Sequence, residues 1–352
     1  MPLNSKWKVL VVQSKWDRCY VPVYEASAGG RKVRLLKTLM TNACRNECLY
    51  CALRRFSAGE KRAWRPEKLA RVAFYLWRRG LIEGVFLSSS IPKDPDSSVE
   101  LELEAVRALR SMGFTGYVHL RLMPGTSRYL VAEAVRLADR VGVNLEAPDG
   151  DYFDEICPDK GSFREDILKR LEWAAEEARA LSGRAPGQMY GACRAGLDTQ
   201  MVVGALEDSD LDFLYMTEWL YGRLGLKRVY FSPFEPLPGT PLEGRGPCPR
   251  RRVLRLYQAS FLLRDYGVRA WELAELVGPD GRLPDEDPKI ALARLQADRF
   301  PLDPNTAGFQ DLIRVPGIGP SAAREILALR EAGHEIRDFW DLASILGRKR
   351  AL

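Results

Sequence analysis

Apolar residues recur along this chain in two rhythms. Short apolar runs at 32–39, 84–90, 117–122, 141–146, 200–205 and 228–232 read as buried strands. Between them lie longer stretches whose apolar positions fall three and four apart. The clearest is 66–79, where Leu69, Val72, Ala73, Leu76 and Trp77 share one helical face. Further helices are predicted at 99–112 (stopped by Gly113), 129–141, 163–181, 211–224 and 251–266. Strands alternating with helices predict an α/β fold with a parallel sheet and right-handed crossovers. Six such units suit a partial (β/α)6 barrel better than a closed eight-fold one, and chemistry then gathers in the loops after the strand C-termini. The rhythm breaks at 233–249, rich in Pro and Gly, and again at 278–288, rich in Pro, Gly and acid. The expected organisation is an N-terminal arm over 1–30, a barrel over 31–277, a linker over 278–304 and a small all-α domain over 305–352.

With 352 residues and 46% hydrophobic content, the chain can bury a substantial core. No apolar run approaches the roughly 18 residues of a membrane span. Lys6 and Lys8 flank Trp7 at the start, and no small-residue cleavage site follows, which predicts a cytoplasmic protein with no membrane partner. The net charge of +6 permits a polyanionic partner without requiring one. Arginine clusters recur at Arg54-Arg55, Arg78-Arg79, 250–252 and Arg348-Lys349-Arg350; each taken singly reads as a solvated face. Seven cysteines, an odd number, argue against a disulfide framework and for cysteines used as ligands.

The segment 41–54, TNACRNECLYCALR, carries the sharpest signal. Cys44, Cys48 and Cys51 have three and then two residues between them, so one loop can wrap a metal centre and present three thiolates. Iron–sulfur clusters normally take four such ligands, and three leave one iron with an open position, as catalysis at a metal requires. Zinc is the alternative, with Cys19, Cys157, Cys193, Cys248 or a histidine as fourth ligand; zinc sites usually show a second short pair, which this chain lacks. Tyr50, just before Cys51, can shield a cluster. His119 and His334 are isolated. Cys19, Cys157, Cys193 and Cys248 read as buried inert thiols, although Cys193 precedes the fifth predicted strand and could face the site.

CxxxCxxC with an aromatic before the last cysteine, placed after the first strand of a (β/α) series, resembles the radical S-adenosylmethionine (SAM) superfamily over roughly residues 30–245. The resemblance implies a [4Fe–4S] cluster on Cys44, Cys48 and Cys51, which are then both metal ligands and catalytic residues. SAM would chelate the fourth iron through its amino and carboxylate groups, and reductive cleavage would give a 5′-deoxyadenosyl radical that abstracts hydrogen from substrate. A one-electron donor such as flavodoxin or ferredoxin is then a partner. Ser88, Ser89 and Ser90 stand where such enzymes contact the SAM amino group, though without the usual carboxylate. Asn144 and Glu146 resemble the ribose or carboxylate contact, and Gln200 the segment packed near adenine. Arg121, ending the third predicted strand, could pair with the SAM carboxylate or a substrate phosphate.

Near the C-terminus, 315–320 reads VPGIGP between two helical patterns. Gly317 and Gly319 permit a tight turn and close approach of backbone to a ligand. Pro320 suits the first turn of the second helix, whose free N–H groups, with Ser321 among them, form an anion site. Ile318 can tuck between the helices against Leu312 and Ile326. The segment resembles the helix-hairpin-helix family, which implies sequence-independent binding to the DNA backbone. Residues 336–346 look like the start of a second, degenerate hairpin ending in Arg348, Lys349 and Arg350. Together the two modules resemble the family described as DNA modification or repair radical SAM proteins, matched at 35–51, 144–148 and 305–307. The leading expectation is a radical SAM enzyme acting on DNA. The alternatives are the same chemistry on RNA, protein or a small molecule, with a structural hairpin, and a DNA-binding protein whose cluster is structural or redox-sensing.

Overall fold

A computed structural model of the chain describes residues 23–28, 31–182 and 190–346. Contacts divide the chain into two compact units: one reaches to Glu207 and resumes over Gly222–Cys248, and the other joins Asp208–Tyr221 to the chain from Pro249 onward.

The first unit is built on a seven-stranded sheet in sequence order. Strands β2 (Arg31–Leu39), β3 (Gly84–Ser88), β4 (Tyr117–Leu122), β5 (Arg140–Val143), β6 (Leu197–Val203) and β7 (Arg228–Pro233) run parallel, each paired with the next. They are the six predicted strands, and their interiors are dry: Val85, Val118, Leu120, Val141, Val203 and Val229 are almost wholly buried. The result is a partial barrel. Helices α1 (Pro66–Arg78), α2 (Pro95–Ser111), α3 (Arg128–Leu137) and α5 (Lys169–Leu181) make the crossovers, and Leu69, Ala70 and Ala73 are the buried face of α1.

The structure departs from the pattern in three places. Part of the expected N-terminal arm is an antiparallel edge strand, β1 (Val23–Ala28), paired with β2 from Val23↔Leu36 to Ala28↔Arg31. Its sequence, VYEASA, is short and interrupted by Glu25 and Ser27, so it does not stand out as an apolar run. The strand expected over 141–146 ends at Val143, and a short helix α4 (Gly150–Ile156) follows, capped by the Asp149 carboxylate accepting the Tyr152 N–H at 2.8 Å. A π-helical turn, Phe163–Leu168, then leads into α5.

The second unit is helical and larger than the expected 305–352. It holds α6 (Asp210–Trp219), α7 (Arg250–Asp265), α8 (Ala270–Ala274), α9 (Pro288–Leu295), α10 (Phe309–Leu312), α11 (Pro320–Glu331) and α12 (Phe339–Leu346). The buried guanidinium of Arg252 bonds Asp208 at 2.6 Å and Asp210 at 2.7 Å, and Asp210 also accepts the Leu283 N–H at 2.8 Å. Helix α9 falls within the expected linker, 278–304, and its capping residue Asp287 accepts from Gln258 of α7 at 2.6 Å. Arg314 reaches Glu272 at 2.6 Å and Lys289 Nζ donates to the Ile318 carbonyl at 2.6 Å, so the hairpin is bonded to α8 and α9.

Candidate active site

β2 delivers the chain straight into the loop of Cys44, Cys48 and Cys51, and that loop is fastened on two sides. On one, the Arg45 N–H donates to Ile91 O at 2.8 Å, just past β3, and Asn42 is bonded in both directions, to Glu60 O at 2.8 Å and from the Arg62 N–H at 2.6 Å. On the other, the Leu49 N–H donates to Ile156 O at 2.8 Å and the Glu47 N–H to the Asp159 carboxylate at 2.8 Å. The loop is thereby pinned to the end of α4, an element with no clear mark in the sequence.

The three cysteines line a cavity of about 240 Å3 at the C-terminal ends of the strands. Tyr50, Ser88, Ser89, Ser90, Arg121, Asn144, Glu146 and Gln200 line the same cavity, so residues spread along the first 200 positions share one chamber. Glu146 has φ +66°, a region that costs a non-glycine residue about 1–2 kcal/mol. Its N–H donates to Gln200 O at 2.9 Å and its carbonyl accepts from Val202 at 2.8 Å, which together hold that conformation. Its carboxylate meets Lys160 at 2.5 Å, inside the cavity lining. Burial alone would discharge Lys160, but Glu146, Cys48 and Cys157 raise its pKa well above the usual value and keep it cationic.

The side chain of Cys157 hydrogen-bonds Cys48 and lowers the Cys48 pKa. Burial raises the Cys157 thiol itself well above its usual value, so it stays protonated, as expected of a buried thiol. Burial pushes Cys51 up to about 12, although the Leu53 N–H points at its sulfur from 3.4 Å. Burial also raises the Tyr50 phenol, which stays protonated. Arg121 already pairs with the buried Asp198 at 2.7 Å, so part of its charge is engaged before any ligand arrives. Cys193 sits before β6, at the opposite ends of the strands, and lines a different cavity. The sequence did not point to Lys160 or Asp159; only a Cys-Pro-Asp-Lys run at 157–160 hints at them.

Asn144 Oδ1 lines this chamber, buried and without a hydrogen-bond partner among the described residues. An unsatisfied buried acceptor costs about 1–3 kcal/mol, so a donor from a bound molecule fits there. Three thiols, a fixed ammonium and this acceptor around one void suit an iron–sulfur cluster with a polar cofactor beside it. Among the described residues no three His, Cys, Asp or Glu side chains converge tightly enough for a single metal ion, and a polynuclear cluster binds its thiolates at separate irons.

In the hairpin, Gly317 takes φ +88°, and Ile318 is buried with Leu312, Ile313, Ala323 and Ile326. The Ala323 N–H bonds back to Gly319 O at 2.9 Å, leaving the Ser321 and Ala322 N–H groups with no carbonyl one turn back. Ser321 is exposed. Asn305, in the lead-in, grips Ile336 N–H and C=O at 2.8 Å each. Arg348, Lys349 and Arg350 lie outside the described residues, as does Cys19.

The model of the radical SAM superfamily matches residues 38–183, and that of the helix-hairpin-helix motif matches 301–349. The chain carries a radical SAM domain. A helix-hairpin-helix motif follows that domain towards the C-terminus. Radical SAM proteins use a [4Fe–4S] cluster and S-adenosylmethionine, the groups the chamber's residues fit. No curated protein matches the chain. Among solved structures, the crystal structure of HydG, a maturase of the [FeFe]-hydrogenase, is similar over 65% of this chain and 49% of that one, at 12% identity and TM-score 0.50. HydG from Carboxydothermus hydrogenoformans aligns over 65% and 50% at 14% identity and TM-score 0.48. Methylornithine synthase (PylB) aligns over 90% and 87% at 15% identity and TM-score 0.49. The chain thus spans about half the length of the two HydG structures, and likeness at this identity concerns the fold alone. No helix among the described residues is long and apolar enough to cross a membrane.

Proposed function

We propose that this protein reductively cleaves S-adenosylmethionine and directs the resulting radical chemistry at DNA, in modification or repair. The observation that carries the proposal is one chamber shared by three loop cysteines and an unsatisfied Asn144, in a chain with a helix-hairpin-helix motif at 301–349. Cys44, Cys48 and Cys51 would hold the cluster. Ser88, Ser89, Ser90, Asn144, Glu146, Lys160 and Gln200 would hold SAM. When bound, these groups supply one-electron cleavage of a carbon–sulfur bond and hydrogen abstraction from substrate. The protein's share is position and exclusion. Lys160 stays charged opposite Glu146, Tyr50 stays neutral, and the docked 156–160 segment shields the cluster loop from one side. Gly317, Gly319 and Ser321 would take a backbone phosphate, helped by Arg348, Lys349 and Arg350. An oxygen-sensitive cluster and a flavodoxin- or ferredoxin-type donor suit the cytoplasm.

Anaerobically reconstituted protein with dithionite and SAM is expected to release 5′-deoxyadenosine and methionine, more so with DNA present. Cys51→Ala should lose both the cluster absorbance and the release. Cluster without release would favour the redox-sensing alternative. Duplex DNA should bind with an affinity falling steeply as salt rises, by about 0.9 in logarithmic slope per phosphate contact. Turnover without nucleic-acid binding at any salt would point to a protein or small-molecule substrate.

A further inference from the structure

A nucleic-acid substrate makes a demand on the mouth of the barrel. The cavity holds about 240 Å3, with cysteines already in its lining, against roughly 300–1,000 Å3 for a pocket that takes a drug-sized ligand. A base stacked inside a duplex cannot enter it. The reacting nucleotide must be unstacked, and an unstacked strand needs a surface to lie on. Resting on the nucleic-acid reading above, we infer that Phe56, with Arg55 and the cations around it, is a stacking platform for an unpaired nucleotide beside the cluster chamber.

Phe56 is 80% exposed, with the Arg55 guanidinium 5.1 Å from its ring centre. Its turn is held by backbone bonds into the cluster loop. The Arg55 N–H donates to Asn46 O at 2.8 Å, the Arg54 N–H to Cys51 O at 3.3 Å and the Ser57 N–H to Arg54 O at 2.9 Å. Asn46 and Cys51 both line the chamber, so the backbone that carries the ring is anchored within a few residues of its edge. Other exposed aromatics of this unit, Tyr75 and Tyr129, sit on helices α1 and α3 instead.

Charge around the ring favours an anionic partner. The Arg45 guanidinium donates to Lys93 O at 2.5 Å, bringing the loop after β3 against the cluster loop. Arg45, Arg55, Lys61 and Lys93 form no ion pair among the described residues; Lys61 donates to Ser57 Oγ at 2.7 Å. Most nearby carboxylates are engaged. Glu47 faces Arg54 at 3.8 Å, Glu60 pairs with Arg62, Asp94 caps α2 through the Ser97 N–H at 2.7 Å, and Asp159 accepts from Glu47. Glu235 lines the chamber itself. An exposed ring flanked by guanidinium and ammonium groups matches a base face and its phosphodiesters, a chemistry that DNA and RNA share.

The test is fluorescence anisotropy on the reconstituted holoprotein. The probes are a labelled single-stranded DNA, an RNA of the same sequence, and the DNA as a duplex. Phe56→Ala should weaken single-strand binding about tenfold, equivalent to about 1.4 kcal/mol. Phe56→Leu, which keeps apolar bulk without a ring face, should behave alike, and Phe56→Trp should retain affinity. Arg55→Ala should lower both affinity and salt slope. Cluster absorbance and duplex affinity should stay unchanged in all four, and whichever single strand binds tighter names the source. Single-strand affinity equal in Phe56→Ala, Phe56→Leu and wild type, with duplex binding intact, overturns the platform and leaves the proposed function standing. Absence of binding to any of the three probes by wild type removes both.

Discussion

His119 stacks on Phe86 at 4.0 Å between ring centres, and its Nε2 lies 3.0 Å from Asp198, which also holds Arg121. Burial pushes His119 down to about 4 despite the carboxylate beside it. Burial alone would raise Asp198, but Arg121 and His119 overcome it and hold the acid at about 2. For His119 the unfolded chain, with a pKa near 6.5, takes up a proton that the folded state refuses until about pH 4. Its contribution is complete above pH 6.5 and lost as pH falls toward 4. Asp198 acts in the same sense at lower pH, from 3.8 down to 2. His119→Gln should therefore flatten the fall in thermal midpoint between pH 6.5 and 4, a difference of at most about 3 kcal/mol. A wild-type midpoint no steeper than the variant's over that window would count against this buried pair. None of this was legible in the sequence, where His119 stands as an isolated histidine; its partner lies 79 positions away.

At the level of elements, β5 shows how a strand makes room for charge. A Cβ on Gly142 would meet Asp198 Oδ1 at 1.9 Å and Arg121 Nη1 at 2.3 Å. Only glycine lets the Arg121–Asp198 pair cross the sheet at that level. Gly142→Ala should destabilise by about 1–3 kcal/mol or more, as overpacking of a tight interior does, and chemical denaturation can measure it. A variant as stable as wild type would mean that the pair moves freely. The short β5 has the same lesson. The apolar run 141–146 reads as one strand, but the strand ends at Val143, and Glu146, in the left-handed region and paired with Lys160, keeps only a single bridge to Met201. Helix α4 leaves no mark in the sequence because seven residues give too little periodicity, yet its end carries the Ile156 carbonyl that braces the cluster loop.

Across the whole molecule, the radical SAM domain and the hairpin motif occupy different compact units. Ser321→Glu puts a negative charge where the hairpin would hold a phosphate, while an acid in the first helical turn favours the helix itself. It should cut duplex-DNA affinity about tenfold and reduce the salt slope, yet leave cluster content and 5′-deoxyadenosine release without DNA unchanged. Affinity unaffected by that charge would remove phosphate binding from the hairpin. The sequence by itself determined the six parallel strands, the cysteine loop after the first of them and the hairpin turn, because each is written in local spacing or periodicity. Only the tertiary structure decided which distant groups meet: Cys157 against Cys48, Lys160 against Glu146, Arg121 against Asp198, and α6 and α9 with the hairpin rather than the barrel. Burial and charge pairing depend on contacts across long sequence separations, and no local pattern encodes them.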